Sequence, residues 1–148
     1  MKSLLCGGFL FLVAALFLLG CGDGYKPKDG VTVTGKVVKG GKPLDVPHRD
    51  VGLGSVEVLL VPAGNATGAT QESSLAKEDG SFRMEGPGRG ITPGKYKLAV
   101  LQHDKGPGSD MLKGAFSPDK TPITVEIPEA RLGKTHDLGV IDLHKPSK

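Results

Sequence analysis

The sequence predicts an all-β protein: a single antiparallel β-sandwich of about seven strands, preceded by a signal peptide and a flexible tether. Three observations carry that prediction. Short segments alternate apolar and polar residues with a period of two, the pattern of strands with one face on a core. Turn residues punctuate those segments at Gly40-Gly41, Asp79-Gly80 and Pro93-Gly94, a spacing that suits a sandwich. No stretch sustains helical periodicity, and only residues 129–132 suggest a single helical turn.

The elements follow in chain order. Residues 1–20 read as a secretory signal: Lys2 supplies the basic start, and the apolar run from Leu4 to Leu19 supplies the hydrophobic region. That run is shorter than the roughly 20 residues a membrane-spanning helix needs. It ends in Leu18-Leu19-Gly20-Cys21. This ending resembles the bacterial lipobox, in which the cysteine is acylated and becomes the mature N-terminus. The resemblance implies that Cys21 is the lipidation site and that a membrane lipid, palmitate among its acyl groups, is the first partner of the chain. It also implies a location at the extracytoplasmic face of a membrane in the cell envelope. The chain has two cysteines. Cys6 leaves with the signal and Cys21 carries lipid, so the mature domain has no pair left for a disulfide and depends on a packed core.

Residues 21–30 are polar and rich in Gly, Lys and Asp, and they read as a tether. The domain then spans 31–143, with a polar tail at 144–148. Val31, Val33 and Val37 share one face of the first segment, against Thr32, Thr34 and Lys36. Val56, Val58 and Leu60 align in the second. Residues 74–77 and 81–85 flank Asp79-Gly80, a pair that tolerates the positive φ of tight hairpins. Phe82 and Met84 alternate against Arg83 and Glu85. Tyr96, Leu98 and Val100 alternate against Lys95 and Lys97. Ile123, Val125 and Ile127 align in the sixth segment. The last, Asp137 to Leu143, is apolar with a bulge expected at Gly139. Gly35 within the first strand signals a bulge or close packing. Lys95, Lys97 and Pro122 read as protection of a sheet edge.

Three phrases carry a family resemblance: VTGKVVKGGKPL with SVEVLLVP after it, AKEDGSFRM, and ITPGKYKLAV. Together they resemble the carboxypeptidase regulatory-like domain, a transthyretin-like or prealbumin-like sandwich. The closing FSPDKTPITVEIPE and HDLGVIDL are similar to the C-terminal strands of small bacterial lipoproteins that carry one such domain. The motifs are turn and core residues, so the resemblance implies a fold rather than a chemistry.

Composition limits the functions. The formal net charge is +3, spread along the chain without a polybasic tract, so no nucleic-acid partner is expected. No serine sits in a G-x-S-x-G elbow. The C-terminus lacks the Tyr-Arg-Gly-Ser that the urate-pathway hydrolases of the transthyretin-like fold need. No catalytic residue, cofactor or metal site is therefore expected. His103, Asp104 and Asp110 form one polar loop, and Asp45, His48 and Asp50 another, but neither has the spacing of a calcium loop. Phe116, His103 and Asp104 are the candidates for contact with a ligand or partner. The sequence-level expectation is a non-enzymatic, membrane-anchored structural or protein-interaction module that contacts an envelope protein. The alternative is a small-ligand or glycan-binding lipoprotein that uses the loops 43–54 and 103–117.

Overall fold

A computed structural model describes residues 30–64, 68–87 and 89–144. The expected signal, Cys21, the expected tether up to Asp29, residues 65–67, Gly88 and the last four residues lie outside them. The described chain forms a two-sheet β-sandwich of seven strands: β1 (Thr32–Val38), β2 (Ser55–Pro62), β3 (Glu72–Leu75), β4 (Ser81–Met84), β5 (Gly94–His103), β6 (Thr124–Ile127) and β7 (Thr135–Asp142). One sheet has the order β4-β1-β7 and the other β3-β2-β5-β6. The expected helical turn is a 3-10 helix over Glu129–Arg131.

The period-two residues face one another across the sandwich. Val33, Val37, Phe82 and Met84 come from the first sheet, and Val56, Val58, Leu60, Tyr96, Leu98, Val100 and Ile127 from the second; all are buried in one cluster. Val31, Ile91, Leu44 and Leu112 close its ends. Buried Tyr96 keeps its phenol satisfied by donating to the Thr92 carbonyl at 2.7 Å, as a buried hydroxyl requires.

Three pairings depart from the sequence reading. First, β1 and β7 run parallel, whereas the other four ladders are antiparallel. The crossover through the 3-10 turn returns the chain to the end where β1 begins, and Thr32 pairs with Thr135. Second, Asp79-Gly80 makes the expected tight turn, with Gly80 at φ +86° and Gly80 N–H donating to the Lys77 carbonyl. However, the flanking strands belong to different sheets. The turn is therefore a corner, held by Ser74 Oγ donating to the Arg83 carbonyl at 2.8 Å. Third, Lys95 and Lys97 do not guard an edge. β5 is interior, bounded by β2 on one side and β6 on the other. Pro122 does lie at a margin: residues 121–123 run beside β5 without joining β6, with Leu98 N–H donating to the Ile123 carbonyl and Thr121 Oγ1 to the Leu98 carbonyl.

The bulge at Gly139 is present. Thr34 pairs with Asp137, but Lys36 pairs with Val140, so β7 carries one extra residue. Gly139 sits at φ +70°, a conformation other L-residues reach only with strain. The bulge changes the parity of β7. Leu138 and Ile141 both pack on the core while Val140 faces solvent.

The domain has two distinct poles. Gly30 enters at one, where its N–H donates to Arg89 O, its own carbonyl accepts from Gly133 N–H, and Val31 bridges Ile91. β5 starts beside that pole and runs ten residues to His103, about 30 Å at 3.3–3.4 Å per residue. The loops 43–54 and 103–117 lie at the opposite pole, where Ser55 pairs with His103.

Candidate functional site

The loop pole gathers two of the three candidate residues, and backbone hydrogen bonds stitch its loops together. Gln102 Nε2 donates to the Asp45 carbonyl, and Gly106 N–H donates to Leu53 O at 2.9 Å. His48 Nδ1 donates to Asp104 O at 3.3 Å, since a carbonyl can only accept. The first loop folds back on itself: His48 O accepts from both Leu53 N–H and Gly54 N–H.

The organiser of the second loop is Asp110. Its Oδ1 accepts from Gln102 N–H at 3.1 Å and Leu112 N–H at 3.0 Å, and its Oδ2 from Gly114 N–H at 2.8 Å. Both carboxylate oxygens are thus engaged by backbone. The sequence reading placed Asp110 among polar loop groups and missed this role. The signal was there: an aspartate two residues before one N–H and four before a glycine suits side-chain capping of a turn. The Asp104 carboxyl is held below the usual carboxylate range, first by a hydrogen bond from the Ser109 side chain and further by the nearby Lys105 and His48.

His103 is buried, and one of its ring nitrogens is fixed by a hydrogen bond. Nδ1 donates to Ser109 O at 2.7 Å, and Nε2 lies 3.7 Å from Glu57 Oε2. A histidine, a carboxylate and a serine therefore meet here, but not as a proton relay. Ser109 Oγ accepts from Asp104 N–H and Lys105 N–H. Its proton has two acceptors, the Gly106 carbonyl and the Asp104 carboxylate, and neither is the imidazole. The histidine meets the serine's backbone instead of its hydroxyl, so the group fixes the loop and has no activated nucleophile.

Phe116 stands apart from His103 and Asp104 in role. It is half-buried against the core, and its carbonyl accepts from Val100 N–H at 2.9 Å. It covers the β5 margin. The exposed apolar groups of this pole are others, which the sequence reading missed: Val51, Leu53 and Met111 are 62%, 49% and 44% exposed. Val51 and Leu53 flank Gly52, and a turn tip that carries two large aliphatics was the available signal.

Among the described residues, no three His, Cys, Asp or Glu side chains gather in a way that would hold a metal ion. A shallow concavity of about 410 Å³ lies away from the loops, on the outer face of the three-stranded sheet. Thr34, Lys36, Lys77, Arg83, Asp137 and Val140 line it. Its charges are largely matched: Arg83 pairs with Glu85, and Asp79 lies near both lysines. Comparison with family models, with curated proteins and with solved structures finds no match for this chain.

Proposed function

We propose that this chain is a lipid-anchored, non-enzymatic module of the cell envelope that contacts a partner protein at the extracytoplasmic face of a membrane. The observation that carries the reading is the arrangement of the two poles. The tether joins at Gly30, whereas the stitched loops that expose Val51, Leu53 and Met111 stand at the other end. Attachment by acylated Cys21 leaves that platform uncovered. Scattered exposed aliphatics are ordinary, but three carried on two mutually fixed loops would need little ordering on binding. The β-sandwich and the turn phrases support kinship with the carboxypeptidase regulatory-like domain.

One acyl chain holds a protein only marginally, and two or more are needed for stable attachment. Labelled palmitate should enter the protein in cells, and Cys21→Ala should abolish the label and release or mis-process the chain. Labelling that survives Cys21→Ala overturns the anchor. Crosslinking of the intact lipoprotein in cells should capture an envelope protein through the loop pole, and Leu53→Asp should weaken that capture.

A further inference from the structure

The pole at which Gly30 enters carries a projection that the core does not use. Residues 128–135 are exposed throughout, and the 3-10 turn within them buries no residue. The projection ends in Arg131-Leu132-Gly133-Lys134. Leu132 is 45% exposed. A single exposed leucine is ordinary, but this one is flanked by two exposed cations. Neither Arg131 nor Lys134 makes an ion pair with another described residue.

Backbone contacts fix this tip to the place where the chain enters the domain. Gly133 N–H donates to the Gly30 carbonyl at 2.8 Å. A side chain at Gly30 would collide with the Arg89 carbonyl and with Gly90, so the backbones meet there without a gap. The projection is closed on itself as well. Arg131 N–H donates to Pro128 O at 3.0 Å, Leu132 N–H to Glu129 O at 3.0 Å, and Lys134 N–H to Arg131 O at 2.9 Å. Leu132 and its two cations are thus held beside Gly30, whatever path the preceding residues take.

We propose that this tip rests on an anionic lipid surface, with Leu132 at the boundary of headgroups and acyl chains and with Arg131 and Lys134 on lipid phosphates. The inference rests on the acylation of Cys21 proposed above and adds a second membrane contact, made by the folded domain. Chain length supports it. Gly30 lies nine residues after Cys21, a stretch that extends over at most about 30 Å, so an anchored chain keeps this pole near the bilayer. A short flexible link of this kind gives a local concentration on the order of millimolar, at which a weak contact is populated. One leucine and two cations are too few for a protein interface, which takes roughly 20–30 residues a side. A bilayer demands no matching shape, and an apolar group among basic ones suits its interface.

Charge sets the kind of lipid. Glu129 opens the same turn, so the projection carries Arg131 and Lys134 against one carboxylate. The other acidic groups near this pole are matched or engaged: Glu85 pairs with Arg83, Glu126 sits opposite Lys95 in the ladder, and Glu72 accepts from Thr70. Arg89, whose carbonyl holds Gly30, is a further cation here. A Lys or Arg close to an anionic surface strengthens binding about fivefold. The tip contact is accordingly weak by itself and depends on the anchor to hold it in place. It also orients the domain, since the loops 43–54 and 103–117 at the opposite pole are then turned away from the membrane.

The test uses the processed, acylated chain in vesicles of phosphatidylcholine, with and without phosphatidylglycerol. Ala130→Cys carries a bimane probe on the turn and leaves Leu132 native, whereas Asp50→Cys carries the same probe at the loop pole. Doxyl-labelled lipid is the quencher, and flotation with the vesicles reads the anchor separately. The tip probe should be quenched in the anionic vesicles and the loop probe should not. Leu132→Asp should return the tip probe to the level of the loop probe, with far-UV circular dichroism unchanged. Lys134→Glu turns an attraction into a repulsion and should weaken the contact roughly tenfold or more, while Glu129→Gln should strengthen it. A chain that floats while its tip probe is quenched no more than its loop probe overturns the tip contact and leaves the anchor standing. Quenching that Leu132→Asp leaves unchanged, or that is equal with and without phosphatidylglycerol, also overturns the proposal. A chain that does not float overturns the anchor and the tip contact together.

Discussion

Replacing Gly35 by alanine places a methyl group where the structure has none to spare. An ideal Cβ at Gly35 lies 2.8 Å from Phe82 Cζ, 2.9 Å from Phe82 Cε1 and 3.4 Å from the Gly139 carbonyl. Carbon pairs prefer about 3.5–4.0 Å. The ring has no free route away, because Phe82 is buried in the central cluster. Overpacking of this kind costs about 1–3 kcal/mol. Against it stands the gain of about 0.5–1 kcal/mol from removing a glycine inside a strand. Taken at mid-range, about 2 less about 0.75, the net expectation is a loss of about 1.3 kcal/mol. With a urea slope of about 2 kcal/mol per molar, the middle of the usual range, the midpoint should fall by about 0.6 M. Equilibrium urea unfolding followed by far-UV circular dichroism measures this directly, as the chain has no tryptophan to report. Phe82→Leu removes the ring atoms that the new methyl strikes. The two substitutions should therefore couple favourably by about 1 kcal/mol, the double variant being more stable than the sum of the singles predicts. A Gly35→Ala protein as stable as the parent, together with strict additivity, would refute the packing argument.

Two further outcomes follow from the carboxylates. Asp110→Ala leaves three backbone N–H groups without their acceptor; it should cost about 1–3 kcal/mol and speed amide exchange in residues 102–114, while Asp110→Asn should recover part of both. The Asp142 carboxyl is held below its usual range by backbone N–H groups of His144 and Gly40. A depressed native value means the contribution is present above the unfolded value and is lost as pH falls through the native one. Stability should therefore decline on acidification below about pH 4, and Asp142→Asn should flatten that part of the profile in acid titrations monitored by circular dichroism.

The strands were legible where a single face is buried. Val33 and Val37, or Tyr96, Leu98 and Val100, announce their own geometry because polar neighbours occupy the alternate positions. Partnership was less legible than strand formation. Asp79-Gly80 specifies a tight turn, but whether the chain then rejoins the same sheet depends on what lies beside it, and here Val37 N–H donates to the Gly80 carbonyl. The parallel pairing of β1 with β7 is set by the return path through residues 128–134, which no local pattern encodes. At the loop pole, the sequence singled out the loops 43–54 and 103–117, but the large apolar groups they expose are not the residues it named. Phe116 is drawn onto the core by its own apolar area, and His103 is taken up by the Ser109 carbonyl. The exposed groups were smaller aliphatics that composition does not single out. Leu59, next to Leu60 in β2, lies outside the core cluster, since two adjacent residues of a strand cannot both face one core.

The position of β1 has a mechanical consequence. From Gly30 the chain passes at once into the central strand of the three-stranded sheet, with β4 on one side and β7 on the other. In the proposed arrangement, tension between a lipid at that end and a partner at the far loops would run along the strand axis. Ladder hydrogen bonds lie across that axis, so both flanking ladders bear the load together in shear instead of opening one bond at a time. A pull applied sideways on β7 would meet far less resistance, because that strand is hydrogen-bonded along one side only.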